Sequence, residues 1–375
     1  MVRFPRGQGG RCTADGLHIP GAMLGLAARP WEATERAAAG RETAPVDRRG
    51  FLRSTVATST AGLLAGVLAD TDAALAYDGE VDLTSLQTTV EKISRGYNGQ
   101  PPEDVLSQLV DELAGAGPLM RLHHPRQDRL DLARAIGQLG GMAAIVLHDM
   151  GRSRDALACF TTAEKAAKQA GDRSLRAWVL ARKAMVPLNW GAPLVAARIA
   201  GQARQAAGRA DTAAAAAALA ASVAARAHAI AGATKDANNA LQHADRIAGK
   251  LSVAESADTW LGYGLQKHFV HRSQALTHLK ASTLAAKSQE AGLALSSETG
   301  MTRTLLLLDG AMCVRHDGDP AGGCQAAVDA LTRRPGSYRA GLVRQRAAEL
   351  YASVPASDRN LAEAQRLADL LAEAA

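Results

Sequence analysis

The chain has 375 residues, of which 47% are hydrophobic but only 3% aromatic, and it carries a formal net charge of +6. With so few aromatics, Ala, Leu and Val must supply the buried surface, and Ala is the best helix former because it loses no side-chain entropy in a helix. Few long segments alternate β-branched and polar residues, which argues against a β-rich fold. The length admits several ordinary domains or one repeat array that grows without a single central core.

The charge is uneven. Residues 1–53 hold nine Arg against five acidic residues, or +4, so only +2 is left for everything after Arg53. A basic amino-terminal segment thus precedes a nearly neutral body, and a body that binds polyanions is not expected. The four cysteines, Cys12, Cys159, Cys313 and Cys324, are scattered and form no Cys-x-x-Cys pair. They read as free, mostly buried thiols; a Cys313–Cys324 disulfide is allowed but not required.

In chain order, residues 1–47 are rich in Gly, Pro, Arg and Thr and predict a largely disordered segment, with one short helix within 14–26. The string Asp47-Arg48-Arg49-Gly50-Phe51-Leu52-Arg53 comes next, followed by sixteen uncharged residues, 54–69. Residues 48–78 are read as a linker helix or a signal-like segment, and 79–375 as the repeat domain. Leu86, Val90 and Ile93 share one helical face, and Val105, Leu106, Leu109, Val110 and Leu113 share another. Pro102 opens the second of these helices, and Gly115, Gly117 and Pro118 are expected to close it.

From residue 129 onward the pattern settles into helix pairs. With Gly151, Gly191, Gly232, Ala281, Gly318 and Ala356 as markers, the turns recur at intervals of 40, 41, 49, 37 and 38 residues. A near-constant period of that size predicts an array of helical hairpins, each needing its neighbours to bury its apolar face. A polar or turn residue opens each second helix, and small residues follow where it packs on the first. The Ala-rich stretch 211–231 predicts an inner helix between two neighbours. The fold expected is all-α, a tetratricopeptide-like solenoid.

Three strings carry a family resemblance: Met150-Gly151-Arg152-Ser153-Arg154-Asp155-Ala156, Ala163-Glu164-Lys165-Ala166-Ala167 and Ala170-Gly171-Asp172-Arg173-Ser174-Leu175-Arg176-Ala177-Trp178-Val179. Residues 80–375 resemble the tetratricopeptide-repeat-like half of actinobacterial helix-turn-helix transcriptional regulators of the phage-repressor type. The family's Asp-Arg-Arg-x-Phe-Leu linker has its counterpart at 47–52, and 14–26 is similar to the last helix of the DNA-binding module. The resemblance implies an interaction or sensing role for the repeats. The helices that would enter the major groove are absent, so no base-contacting residue is assigned and DNA is a partner only through an upstream module.

Arg48, Arg49, Phe51 and Leu52 also resemble a twin-arginine export motif, with Ala74-Leu75-Ala76 as a small-residue cleavage site. The long preceding segment and the five Ser or Thr residues in the apolar stretch favour the cytoplasmic linker over export. That stretch is too short and polar to span a bilayer, so no membrane span is expected.

No phosphate-binding Gly-x-x-x-x-Gly-Lys loop, Gly-x-Ser-x-Gly elbow or His-Glu-x-x-His motif is present, and no catalytic, cofactor-binding or metal-binding residue is assigned. Cys313, His316 and Cys324 fall short of the four ligands of a closed zinc site. His268, His271 and His278 have no carboxylate placed in sequence to orient them and are expected at a helix surface. The aromatic residues Trp178, Trp190, Trp260, Tyr263 and Phe269 read first as plugs between helices and second as anchors on the concave face. Arg176, Arg182 and Lys183 lie near Trp178 on one helix and read first as a solvated face and second as a contact for the acidic end of a peptide. The expected partner is a protein, a peptide or a small signal molecule, with a homodimer allowed.

Overall fold

The computed structural model describes residues 64, 66–68, 71, 83–97, 100–120, 125–208, 213–297, 300–333 and 340–373. The described residues all fall within one compact unit, Ala61–Ala375. The DNA-binding remnant, the 47–52 linker string and the export motif at Arg48, Arg49, Phe51 and Leu52 lie outside the described residues; of the linker helix read at 48–78, only residues 64, 66–68 and 71 are described, and they are helical.

Every regular element among the described residues is helical. Helices α1 (Thr84–Ser94) and α2 (Pro102–Leu119) lead into α3 (Arg126–Asp149). Then follow α4 (Ser153–Gln169), α5 (Arg173–Asn189), α6 (Pro193–Ala207), α7 (Ala214–Ile230) and α8 (Thr234–Ala248). The array ends with α9 (Leu265–His278), α10 (Ser282–Ala294), α11 (Met301–His316), α12 (Pro320–Thr332), α13 (Gly341–Ser353) and α14 (Ala362–Glu373). Pro102 occupies the first turn of α2 as expected, but α2 runs through Gly115, Gly117 and Pro118 instead of ending there.

The turn grammar has a backbone cause. Gly151, Gly171, Gly191, Gly232 and Gly318 all have φ between 67° and 100°, the left-handed conformation that ends a helix without a Cβ clash. The residue after each glycine then bonds back into the helix, as Arg152 N–H does to the Leu147 carbonyl at 2.8 Å and Ala192 N–H to that of Pro187 at 2.8 Å. At the Ala281 marker the left-handed slot belongs one residue earlier, to Lys280, with φ 56°. Its successor Ala281 makes the same bond, to Leu276 at 2.9 Å. Asp172 caps α5 by accepting from Leu175 N–H at 2.8 Å, a bond worth about 1 kcal/mol.

Six hairpins follow α2, each an inner helix (α3, α5, α7, α9, α11, α13) and an outer one (α4, α6, α8, α10, α12, α14). Each inner helix packs on its own outer helix and on the next inner helix, and α7 lies between α5 and α9. Outer helices approach closely because Ala156, Ala196, Ala237 and Ala285, each three residues into its helix, are fully buried. Gly141 of α3 faces the ring of Trp178 on α5, and a Cβ there would overlap it, 2.9 Å from Cη2. Among the described residues one helix, α3, is long and apolar enough to cross a bilayer, and 78% of its apolar window is buried inside the fold.

The array does not leave its inner side open along its whole length. The first and last inner helices meet: a Cβ on Gly151, just after α3, would lie 3.2 Å from the Cα of Gly341, which starts α13. Gly341 itself has φ 56°, and a Cβ there would press into the backbone of Asp149 and Met150, 2.8 Å from the Met150 carbonyl carbon.

Candidate functional site

The inner helices carry a connected line of polar side chains inside this contact. His148 of α3 bonds the Asn189 amide of α5 through Nε2 at 2.9 Å, and Asn189 Oδ1 accepts from Arg226 Nη2 of α7 at 2.7 Å. Arg226 Nη1 reaches His271 Nδ1 of α9 at 3.0 Å. A guanidinium only donates, so it fixes the Asn189 carbonyl toward Arg226, and the Asn189 NH2 must then donate to His148. His148 therefore keeps its proton on Nδ1 and gives it to Asp149 Oδ1 at 3.1 Å. His271 accepts from Arg226 and is held well below the usual histidine range by burial and then by the nearby guanidiniums of Arg226 and Arg182.

A second contribution comes from the repeat with the long interval. Between α8 and α9 lies an irregular segment, residues 249–264, that reaches back to the start of the array. Trp260 N–H donates to the Ser94 carbonyl at 2.6 Å, and its indole stands edge-on to Tyr97 at 5.2 Å. The Trp260 carbonyl accepts from Trp178 Nε1 at 2.8 Å and from Arg182 Nη2 at 3.1 Å. Tyr97 in turn donates to Asp149 Oδ2 at 2.7 Å.

Together these parts bound a chamber of about 430 Å³, lined by Tyr97, Asp149, Arg182, Arg226, Trp260, Lys267 and Arg346 among others. Its apolar walls include Ile145, Phe160, Met185, Val270, Leu305 and Leu342. Pockets of this size suit small molecules.

The chamber is electropositive. Arg182 and Arg226 are buried, and among the described residues neither has a carboxylate within ion-pair distance; the Nε of each is buried without a hydrogen-bond partner there. Burial lowers the guanidinium pKa to about 10 for Arg182 and about 9 for Arg226. Lys267 donates to the carbonyls of Thr259 and of Gly262, the latter at 3.3 Å. Burial, aided by Arg182, brings its ammonium down to about 7. Arg346 differs, because Asp309 pairs with it and Glu349 lies at 3.4 Å.

The sequence-selected residues fall into three groups. Arg182 and Trp260 line the chamber. Trp178 and Tyr263 are buried behind it: Trp178 fills the gap over Gly141, and Tyr263 bonds Ser222 at 2.6 Å and stacks on His271 at 6.3 Å. Trp190 is half-buried and meets His148 edge-on at 5.2 Å. Arg176 points the other way, toward Glu164 of α4 at 3.6 Å, so it does not join Arg182 in one site.

The histidine expectation is corrected. His268 and His271 are buried, and His268 Nε2 sits 3.0 Å from Asp245 Oδ1. The carboxylate comes from α8, across the irregular segment, which a local search for a partner does not reach. Cys313 and Cys324 are both free thiols. Among the described residues no group of three or more His, Cys, Asp or Glu is placed to hold a metal.

Arg226 and Lys267 were not selected from the sequence. A signal for the first was present: Arg226 is the one Asp, Glu, Lys or Arg in the otherwise apolar α7. Compared with known proteins, the chain matches no family model, and no curated protein matches it.

Proposed function

We propose that this chain is a non-enzymatic binding module whose inner chamber holds a small ligand or the end of a peptide, as the sensing part of a transcription-regulator-like protein. The chamber carries the reading. Among the described residues it is lined by side chains of all six inner helices and by the segment around Trp260, so an occupant would touch repeats that are far apart in sequence. Binding there would tighten the contact between α3 and α13 and the contact between Trp260 and Ser94. A ligand that favours one arrangement of such contacts shifts the population toward it, which is what a sensor requires. The regulator part of the reading rests on the resemblance of residues 80–375 and of the 47–52 linker.

Melting curves of the full chain against a panel of organic acids, amides and short peptides test it. At least one compound should raise the midpoint, and Val270→Trp, which fills the chamber, should remove that rise while leaving the helical circular dichroism intact. A panel with no effect, or a rise that Val270→Trp leaves unchanged, would overturn the proposal. A second reading, an exported repeat scaffold, is motivated by Arg48, Arg49, Phe51 and Leu52. A reporter fused to residues 1–80 decides between them by its location.

A further inference from the structure

We infer that the chamber's ligand is a small organic anion, its oxyanion head held by Arg182 and Arg226 and its apolar body lying against Trp260, Met185 and Leu305. This rests on the binding-module reading and adds to it the chemistry of the ligand.

Two guanidiniums on adjacent inner helices, α5 and α7, are buried with only neutral acceptors. Arg182 has the Trp260 carbonyl, and Arg226 has Asn189 and His271. A buried cation with no directly bonded counter-charge is unfavourable, and a carboxylate or phosphate is the ligand that relieves it best, through charge-assisted bonds.

The fold's own carboxylates act on these guanidiniums only from beyond ion-pair distance: Asp149 favours the charged form of Arg182, and Asp309 and Glu349 that of Arg226, but among the described residues none pairs with either. Asp149 is engaged by Tyr97 and His148, and Asp258 is 77% exposed at the rim, 3.8 Å from Lys267. Arg346 shows what the same fold does when a guanidinium is structural: it supplies Asp309 and Glu349. His271 accepts its bond as a neutral ring, so it cancels none of the positive charge.

Size and walls set the rest of the ligand. A volume of about 430 Å³ holds a compact molecule, not a through-running helix or strand. Its indole, thioether and leucine surfaces match a hydrocarbon or aromatic body.

Titration calorimetry and melting of the full chain with 4-phenylbutyrate, 4-phenylbutyramide, phenethyl phosphate, and a short phenylalanine-ending peptide with free or amidated carboxyl end test this. At least one oxyanion should bind at least tenfold more tightly than its neutral counterpart. The member of the set that binds best identifies the source as free acid, phosphate ester or peptide terminus. Arg182→Met and Arg226→Met should each weaken that binding tenfold or more with helicity retained, and the comparison of acid with amide on the unaltered chain needs neither variant to fold. Equal binding of acid and amide, unchanged affinity in both variants, or no binding by any anion overturns the inference. If amides alone bind and Val270→Trp abolishes it, the binding-module reading stands and only the anion assignment falls.

Discussion

The Asn189 side chain spans two gaps at once, donating to His148 at 2.9 Å and accepting from Arg226 at 2.7 Å, so that α3, α5 and α7 are joined by one amide. Ala-rich helices pack by surface alone and slide readily, and a buried directional bond fixes their register. Asn189→Leu should cost about 3 kcal/mol in urea unfolding, because it leaves His148 and a buried guanidinium short of a partner. A cost below about 1 kcal/mol would mean that the amide does not hold the line together.

Gly141 is fixed by its neighbour, not by its backbone. Trp178 lies where its Cβ would be. Gly141→Val should push the indole away, break its 2.8 Å bond to the Trp260 carbonyl and lower stability by about 2 kcal/mol. Faster amide exchange in residues 249–264 of the variant is the accompanying signature, measured by mass spectrometry.

Lys280 is the one described non-glycine residue with positive φ, in a slot that glycine takes at the equivalent turns. Lys280→Gly should raise stability by about 1 kcal/mol, the strain of a left-handed L-residue, measured by denaturant unfolding. A loss of stability would show that the lysine side chain makes a contact more valuable than the strain it brings.

Lys267 gives a pH dependence. Its folded ammonium is brought down to about 7 by burial and by Arg182, against Asp258 and its hydrogen bond, while an unfolded lysine ionises near 10.5. Between those values the unfolded chain binds the proton and the folded chain does not, so this residue makes stability rise as pH climbs from about 7 toward 10.5. Below about 7 both states are protonated and the slope vanishes. Lys267→Met should flatten the rise, seen in melting midpoints across that range.

How much of this was legible in the sequence depended on where each signal lies. Gly151, Gly191, Gly232 and Gly318 announce their turns because positive φ leaves few residue choices. The same rule placed one marker a residue late, since within that turn Lys280 and not Ala281 takes the slot. The 49-residue interval held the most functional information: its excess length is the 249–264 segment that brings Trp260 to Ser94 and walls the chamber. Neither that return path nor the meeting of Gly151 with Gly341 has a local sequence cue, because both depend on how six hairpins accumulate curvature. Arg182 was found for its proximity to Trp178, yet Arg176, which is nearer in sequence, turns to the opposite face. Arg182, four residues after Trp178, shares its helical face, whereas Arg176, two residues before it, falls on the far side; periodicity alone does not say which face is the inner one.

The most direct measurement is a crystal structure of the full chain grown with 4-(4-bromophenyl)butyrate, in which the bromine marks the ligand by anomalous scattering. The account predicts a bromine peak against the apolar wall near Leu305, with the carboxylate about 3 Å from the guanidiniums of Arg182 and Arg226. A chamber without the peak, or a peak elsewhere with both arginines bonded only to protein, would contradict it.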